Sequence, residues 1–233
     1  MKKIGIIGAM EEETRILLQS LEQSETKEIA GSTYLSGVID DVPVTLVQSG
    51  IGKVNAAVAT TILLHEFKTD VVINTGSAGA IGTGLKIGDV VLSNRLAYHD
   101  ADARVFGYDM GQIPQMPPAY EADAELVRVM NQAAEEAGLQ TLTGEIVTGD
   151  SFVSARESLQ AIKEYFPDAL VTEMEGAAIA QVCWRFNVPF VVVRAVSDSA
   201  DEEAGVNFDE FIVEAGRKSA QMVLNFIGAI KQR

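Results

Sequence analysis

The apolar positions of this chain fall into short, nearly continuous runs separated by amphipathic stretches. Strand-like runs alternate with helical patterns in pairs: Lys3 to Ile7, then Glu13 to Leu21; Val42 to Gln48, then Lys53 to Glu66; Val71 to Asn74, then Asp89 to Leu96. Further along, Thr143 to Val147 reads as a strand, Arg156 to Phe166 as a helix, Ala169 to Thr172 as a strand, Glu175 to Phe186 as a helix and Phe190 to Ala195 as a strand. A closing helix covers much of Asp209 to Lys231. Valine- and isoleucine-rich runs alternating with helices predict an α/β fold, with a mainly parallel, mixed central sheet covered by helices on both faces. Ser32 to Gln48, with Asp40 and Asp41 between two alternating runs, predicts a hairpin inserted in that scheme. From Tyr98 to Tyr120 the pattern breaks. Gly107, Gly111, Pro114, Pro117 and Pro118 predict a long irregular loop, and its apolar members Phe106, Tyr108, Ile113 and Met116 predict that it docks against something.

Composition narrows this picture. With 233 residues and 47% hydrophobic content, the chain is long enough to bury a sizeable core, and residues 1–233 are expected to form a single domain. Met1 to Met10 superficially copies an export signal, but Glu11, Glu12 and Glu13 follow at once without a cleavage site. No apolar stretch approaches the about 20 residues that a membrane-spanning helix needs. Cys183 is the only cysteine, so no intrachain disulfide is possible and a reducing, cytoplasmic setting is expected. A formal net charge of −15 repels phosphate backbones and anionic membranes, so neither nucleic acid nor membrane is expected as a partner.

Two glycine-rich segments invite a ligand reading. Asn74 to Gly82 follows a buried strand, and its small residues let a ligand approach the backbone closely, although the spacing is not that of a dinucleotide fingerprint. Ser49-Gly50-Ile51-Gly52-Lys53 resembles a fragment of a phosphate-binding loop, but Val47 and Val54 stand where such a loop needs Gly and Ser or Thr. The alternative for each is a tight strand-to-helix turn. His99, Asp100 and Asp102 match no common metal-ligand spacing, so no metal is expected.

Three carboxylates stand at strand ends: Glu13 after the first strand, Glu175 after the strand ending near Thr172, and Asp198 after the run from Phe190 to Val196. In a parallel sheet such ends share one edge, where ligands bind. Glu175 opens a helix rich in small residues, so the helix dipole is expected to keep it ionised and suited to sugar hydroxyls. Asp198, between a buried apolar strand and Ser197, is placed for desolvation, which favours a form able to donate a proton. Taken singly, each of the three also fits an ordinary helix cap. Together they supply an acid, a base and a sugar clamp, the set that water-driven cleavage at an anomeric carbon requires, with no cofactor.

At this point the residues resemble a known family, the 5′-methylthioadenosine/S-adenosylhomocysteine nucleosidases of the nucleoside phosphorylase superfamily. The resemblance runs through Ile4 to Glu13, Ser49 to Lys53, Asn74 to Gly79, Gly149 to Phe152, Glu173 to Gly176 and Arg194 to Asp198. It implies a nucleoside phosphorylase-like fold and hydrolysis of adenine thionucleosides, small molecules, to adenine and a thioribose. By the same resemblance Glu13 would activate water and Asp198, with Ser197 beside it, would protonate adenine N7. Glu175 and Met174 would hold the ribose hydroxyls, and Ser77 would organise water and sugar. Ala78 and Gly79 would line the base pocket, Phe152 would stack on adenine, and the backbone of Val153 would read its edge. The family is homodimeric. Its alkylthio pocket would here be Met10, Ile51 and Phe208, with Ala103, Phe106, Tyr108 and Pro114 supplied by the loop of the neighbouring subunit. Two other readings of the same fold are a phosphate-dependent purine nucleoside phosphorylase, in which Glu13 would repel the nucleophile, and a non-catalytic nucleoside-binding protein, which would need no acid and base together.

Overall fold

A computed structural model describes residues 2–200 and 204–231. In chain order its elements are β1 (Ile4–Gly8), α1 (Glu11–Ser20), β2 (Glu22–Ile29), β3 (Ser32–Ile39), β4 (Val42–Gln48), α2 (Lys53–His65), β5 (Val71–Ala80), β6 (Val90–Tyr98), β7 (Tyr120–Glu121), α3 (Ala124–Glu136), β8 (Thr141–Thr148), α4 (Arg156–Tyr165), β9 (Ala169–Glu173), α5 (Gly176–Phe186), β10 (Phe190–Asp198) and α6 (Ala204–Lys231).

The strands form one mixed sheet in the order β10-β6-β8-β9-β5-β1-β4-β3-β2, and β10 also pairs with β5. That extra pairing closes β5, β10, β6, β8 and β9 into a ring, from which β1, β4, β3 and β2 extend as an open wing. Parallel ladders join β4 to β1, β1 to β5 and β5 to β10, and a second parallel set joins β6, β8 and β9. The antiparallel seams β10–β6 and β5–β9 close the ring. Every residue of β10 is buried, which explains why its sequence is a continuous apolar run instead of an alternating one.

Of three apolar cores among the described residues, the smallest gathers Ile81, Val147, Ile162 and Phe166, and the two larger flank the sheet. One packs Leu17 of α1, Val129 and Met130 of α3 and Val223 and Phe226 of α6 against β1, β5 and β10; the other packs α2 and α5 through Ala56, Leu63, Ala177 and Ile179. Helices therefore cover both faces, as the sequence pattern predicts. The hairpin at Asp40 and Asp41 is also present, with φ of 50° and 63° at those residues, the left-handed pair that two-residue hairpin turns use. Asp89 to Leu96, which holds the helical place of its pair, instead leads into and forms most of β6 (Val90–Tyr98). Its Val90-Val91-Leu92 run is buried between β10 and β8, where only an extended backbone has partners on both sides.

Candidate active site

The site grows out of strand ends. β1, β4, β5 and β10 point their carboxyl ends the same way, which places Glu13, Gly52, Gly76 to Gly79 and Asp198 around one opening. β9 reaches it by another route, because it runs antiparallel to β5 and pairs Thr172 with Gly79. Glu13 and Asp198 thus stand at the shared carboxyl edge of the parallel strands, whereas Glu175 arrives through the seam that closes the ring.

Glu13 is the third residue of α1 and only 4% exposed. Its Oε2 accepts from the backbone N–H of Ala9 at 2.8 Å and of Met10 at 3.2 Å. Its Oε1 accepts from the N–H of Ser77 at 3.0 Å and from Ser77 Oγ at 3.2 Å. Gly76 must be glycine here, since a Cβ would lie 2.8 Å from Glu13 Oε1 and 2.9 Å from Arg194 Nη1. Donors on both oxygens fix the carboxylate at the N-terminus of a helix, where negative charge is favoured.

Asp198 ends β10 and is 2% exposed. Its Oδ2 accepts from Ser197 Oγ at 2.8 Å and its Oδ1 from the N–H of Ala200 at 2.9 Å. Gly79 lies directly against it, with space for a Cβ closed by Asp198 Oδ1 at 2.7 Å.

Glu175, the residue before α5, is 6% exposed. Its Oε1 accepts from the N–H of Gly52 at 2.8 Å, and its Oε2 lies 3.7 Å from Arg194 Nη2. Burial first, and then the neighbouring Glu173, push its pKa up to about 8, against the pull of Arg194 and of the Gly52 N–H. Burial and Glu173 thus work against the ionised form, which Arg194 and the Gly52 N–H favour. Arg194 itself is 1% exposed. Burial works against its charge, but Glu173, Glu175 and Glu13 raise its pKa all the same. It donates to Asn74 Oδ1 at 2.6 Å and to Glu173, which also accepts from Thr148 Oγ1 and from the backbone N–H groups of Glu175 and Gly176.

These groups border a cavity of about 570 Å³. Of the residues expected at the site, Met10, Glu13, Ile51, Ser77, Ala78, Gly79, Phe152, Val153, Met174, Glu175, Ser197, Asp198 and Phe208 line it. Phe152 and Phe208 meet edge to face in its lining, with ring centroids 5.6 Å apart. Ala103, Phe106, Tyr108 and Pro114 do not line it. They belong to the Tyr98 to Tyr120 loop, where Phe106 is 79% exposed. Among the described residues the cavity carries five carboxylates, Glu13, Glu173, Glu175, Asp198 and Asp209, and no lysine or arginine lines it.

A profile of the phosphorylase superfamily matches residues 3–228. A 5′-methylthioadenosine/S-adenosylhomocysteine nucleosidase of Staphylococcus aureus is 50% identical over 220 residues, which cover 94% of this chain and 96% of that one. The chain belongs to this nucleosidase family. Its fold matches the nucleosidase of Neisseria meningitidis, solved in complex with methylthio-immucillin-A, with a TM-score of 0.96, 44% identity and coverage of 97% of this chain and 99% of that one. A futalosine hydrolase of Helicobacter pylori matches with a TM-score of 0.94, 33% identity and 97% coverage of both chains.

Several residues of this cavity have no role assigned from the sequence alone. Ala9, Ser151, Thr172, Glu173, Gly205 and Asp209 also line the cavity. Glu173 and Arg194 stand inside the quoted motifs, but nothing in their spacing shows that they meet beneath the carboxylates. The His99-Asp100-Asp102 cluster has other employment. Asp100 pairs with Lys53, Asp102 with Arg104, and His99 is largely buried, which lowers its pKa.

Proposed function

We propose that this nucleosidase hydrolyses the N-glycosidic bond of 5′-methylthioadenosine and S-adenosylhomocysteine, giving adenine and the thioribose product. The observation that carries this reading is the acidic lining of the cavity. A ribosyl transition state is cationic, and buried carboxylates stabilise it, whereas a phosphate nucleophile would meet a lining rich in carboxylates and without lysine or arginine. In the reaction Glu13 takes a proton from water as the water oxygen bonds to the anomeric carbon. The carbon–nitrogen bond breaks, and Asp198 gives its proton to N7 of the departing adenine. Glu175, with Met174, accepts from the ribose hydroxyls, and its hold tightens as the ring becomes cationic. Ser77 orients the water and the sugar. Ala78, Gly79, Phe152, Val153 and Ser197 border the base, and Met10, Ile51 and Phe208 take the alkylthio group. Adenine release from methylthioadenosine is expected to proceed at the same rate with and without phosphate, followed at the adenine absorbance change; strict dependence on phosphate would instead support the phosphorylase reading.

The chain acts as one nucleosidase domain and as a homodimer in the cytoplasm. Among the described residues no helix is long and apolar enough to cross a membrane. Val105 and Phe106 are 86% and 79% exposed at the tip of a loop whose root is tied down, an apolar surface that a partner subunit would cover. In the dimer, Ala103, Phe106, Tyr108 and Pro114 complete the alkylthio pocket of the neighbouring subunit. Phe106→Ala is therefore expected to raise KM for methylthioadenosine more than for adenosine, measured side by side. Equal effects on both substrates would remove Phe106 from the alkylthio pocket.

A further inference from the structure

We infer that Lys53, Asp100 and Asp150 form a positioning device that holds the Gly52 N–H on Glu175, and so sets the ribose-binding carboxylate from outside the cavity. The inference rests on the nucleosidase reading of the site.

Gly52 reaches Glu175 through a loop that the backbone does not favour. Gly50 and Gly52 have φ of 82° and 98°, values that glycine alone adopts without strain. Two anchors hold the start of that loop, the bonds from Ser49 N to Gly8 O at 2.9 Å and from Gly50 N to Ala9 O at 3.1 Å. Its other end is tied to α2 by the bonds from Ala56 N to Gly52 O at 3.1 Å and from Asn55 Nδ2 to Ile51 O at 2.8 Å, and is fixed further by the three charged side chains. Asp150 Oδ1 accepts from the N–H of Lys53 at 2.8 Å and would stand 3.0 Å from a Cβ on Gly52. Asp150 N–H in turn donates to Asp100 Oδ2 at 2.9 Å. Lys53 Nζ closes the circuit, donating to both Asp100 oxygens at 2.8 and 2.7 Å and lying 3.8 Å from Asp150 Oδ2. It also sits 5.4 Å from the centroid of the Tyr98 ring.

Lys53 is the charge that lets two aspartates share this corner. Without it Asp100 and Asp150 repel each other, Asp150 leaves the Lys53 N–H, and the neighbouring Gly52 N–H loses its direction. None of the three side chains is among those lining the cavity, so their effect on substrate must pass through that amide. Glu175 faces Glu173, Arg194 and Glu13 as well as Gly52.

The test is a mutant cycle. Lys53→Met is expected to lower kcat/KM for methylthioadenosine by about tenfold or more, chiefly in kcat. It should also move the acid limb of the kcat/KM profile upward by roughly one pH unit, because Glu175 ionises less readily without its amide donor. Asp100→Asn should reproduce the shift, and Lys53→Arg should restore most of the activity. In a Glu175→Gln background Lys53→Met should add little further loss, since the two act through one bond. An active parent in which the two losses multiply, or in which the acid limb stays fixed, would overturn the inference and leave the nucleosidase reading intact. A parent that releases no adenine would overturn that reading, and the inference with it.

Discussion

Asp198→Asn is expected to slow adenine release by about 10²- to 10⁴-fold, the usual worth of a general acid, or on the order of 3 to 5 kcal/mol of transition-state stabilisation. Adenine leaving without a proton on its imidazole ring carries a full negative charge, and asparagine has no proton to give. The substitution should leave the fold intact. The amide oxygen can keep the bond from Ala200 N–H, and the amide nitrogen can donate to Ser197 Oγ, which accepts as readily as it donates. The loss should fall on kcat, with binding nearly preserved. A ribosyl nitrophenolate separates the acid from every other role, because its leaving group departs unprotonated and the variant should cleave it almost as fast as the parent. If both substrates slow equally while the thermal melt is unchanged, Asp198 is not the proton donor.

Glu13→Gln should lose at least as much, for two reasons that act together. Glutamine cannot take a proton from water, which removes the base and costs about 10² or more in rate. It also cannot satisfy its surroundings, because the two carboxylate oxygens accept from three backbone N–H groups, those of Ala9, Met10 and Ser77. An amide has one oxygen, so its NH2 must face either the Ala9 and Met10 pair or Ser77, donor against donor. The side chain should therefore leave its position, which is readable as a fall in thermal stability alongside the loss of kcat. Single-turnover adenine release measures the chemical step alone; a rate equal to the parent's there would show that Glu13 is a helix-end residue and nothing more.

The layered α/β scheme was legible because fully buried strands such as β10 leave continuous apolar runs. α3 was legible in principle: Asp123 caps it by accepting from the Leu126 N–H, and Leu126, Val129, Met130, Ala133 and Ala134 keep helical spacing. β2 left no signal, since Glu22 to Glu28 are all exposed and its pairing comes only from β3. In the site, Glu13 and Asp198 could be found from strand ends. The electrostatics of Glu175 could not, because Gly52 and Arg194 reach it only in the folded chain and its burial depends on the closed ring. Lys53 reads in sequence as a broken phosphate loop, and its actual partners lie 47 and 97 residues away.

Attack of water instead of phosphate on the anomeric carbon is tested most directly by the fate of the sugar. The enzyme is given methylthioadenosine in saturating phosphate, and the reaction is followed by ³¹P NMR while adenine is counted in the same sample. Hydrolysis gives stoichiometric adenine and free methylthioribose, with no phosphorus resonance other than inorganic phosphate. A sugar 1-phosphate signal growing in step with adenine would contradict it.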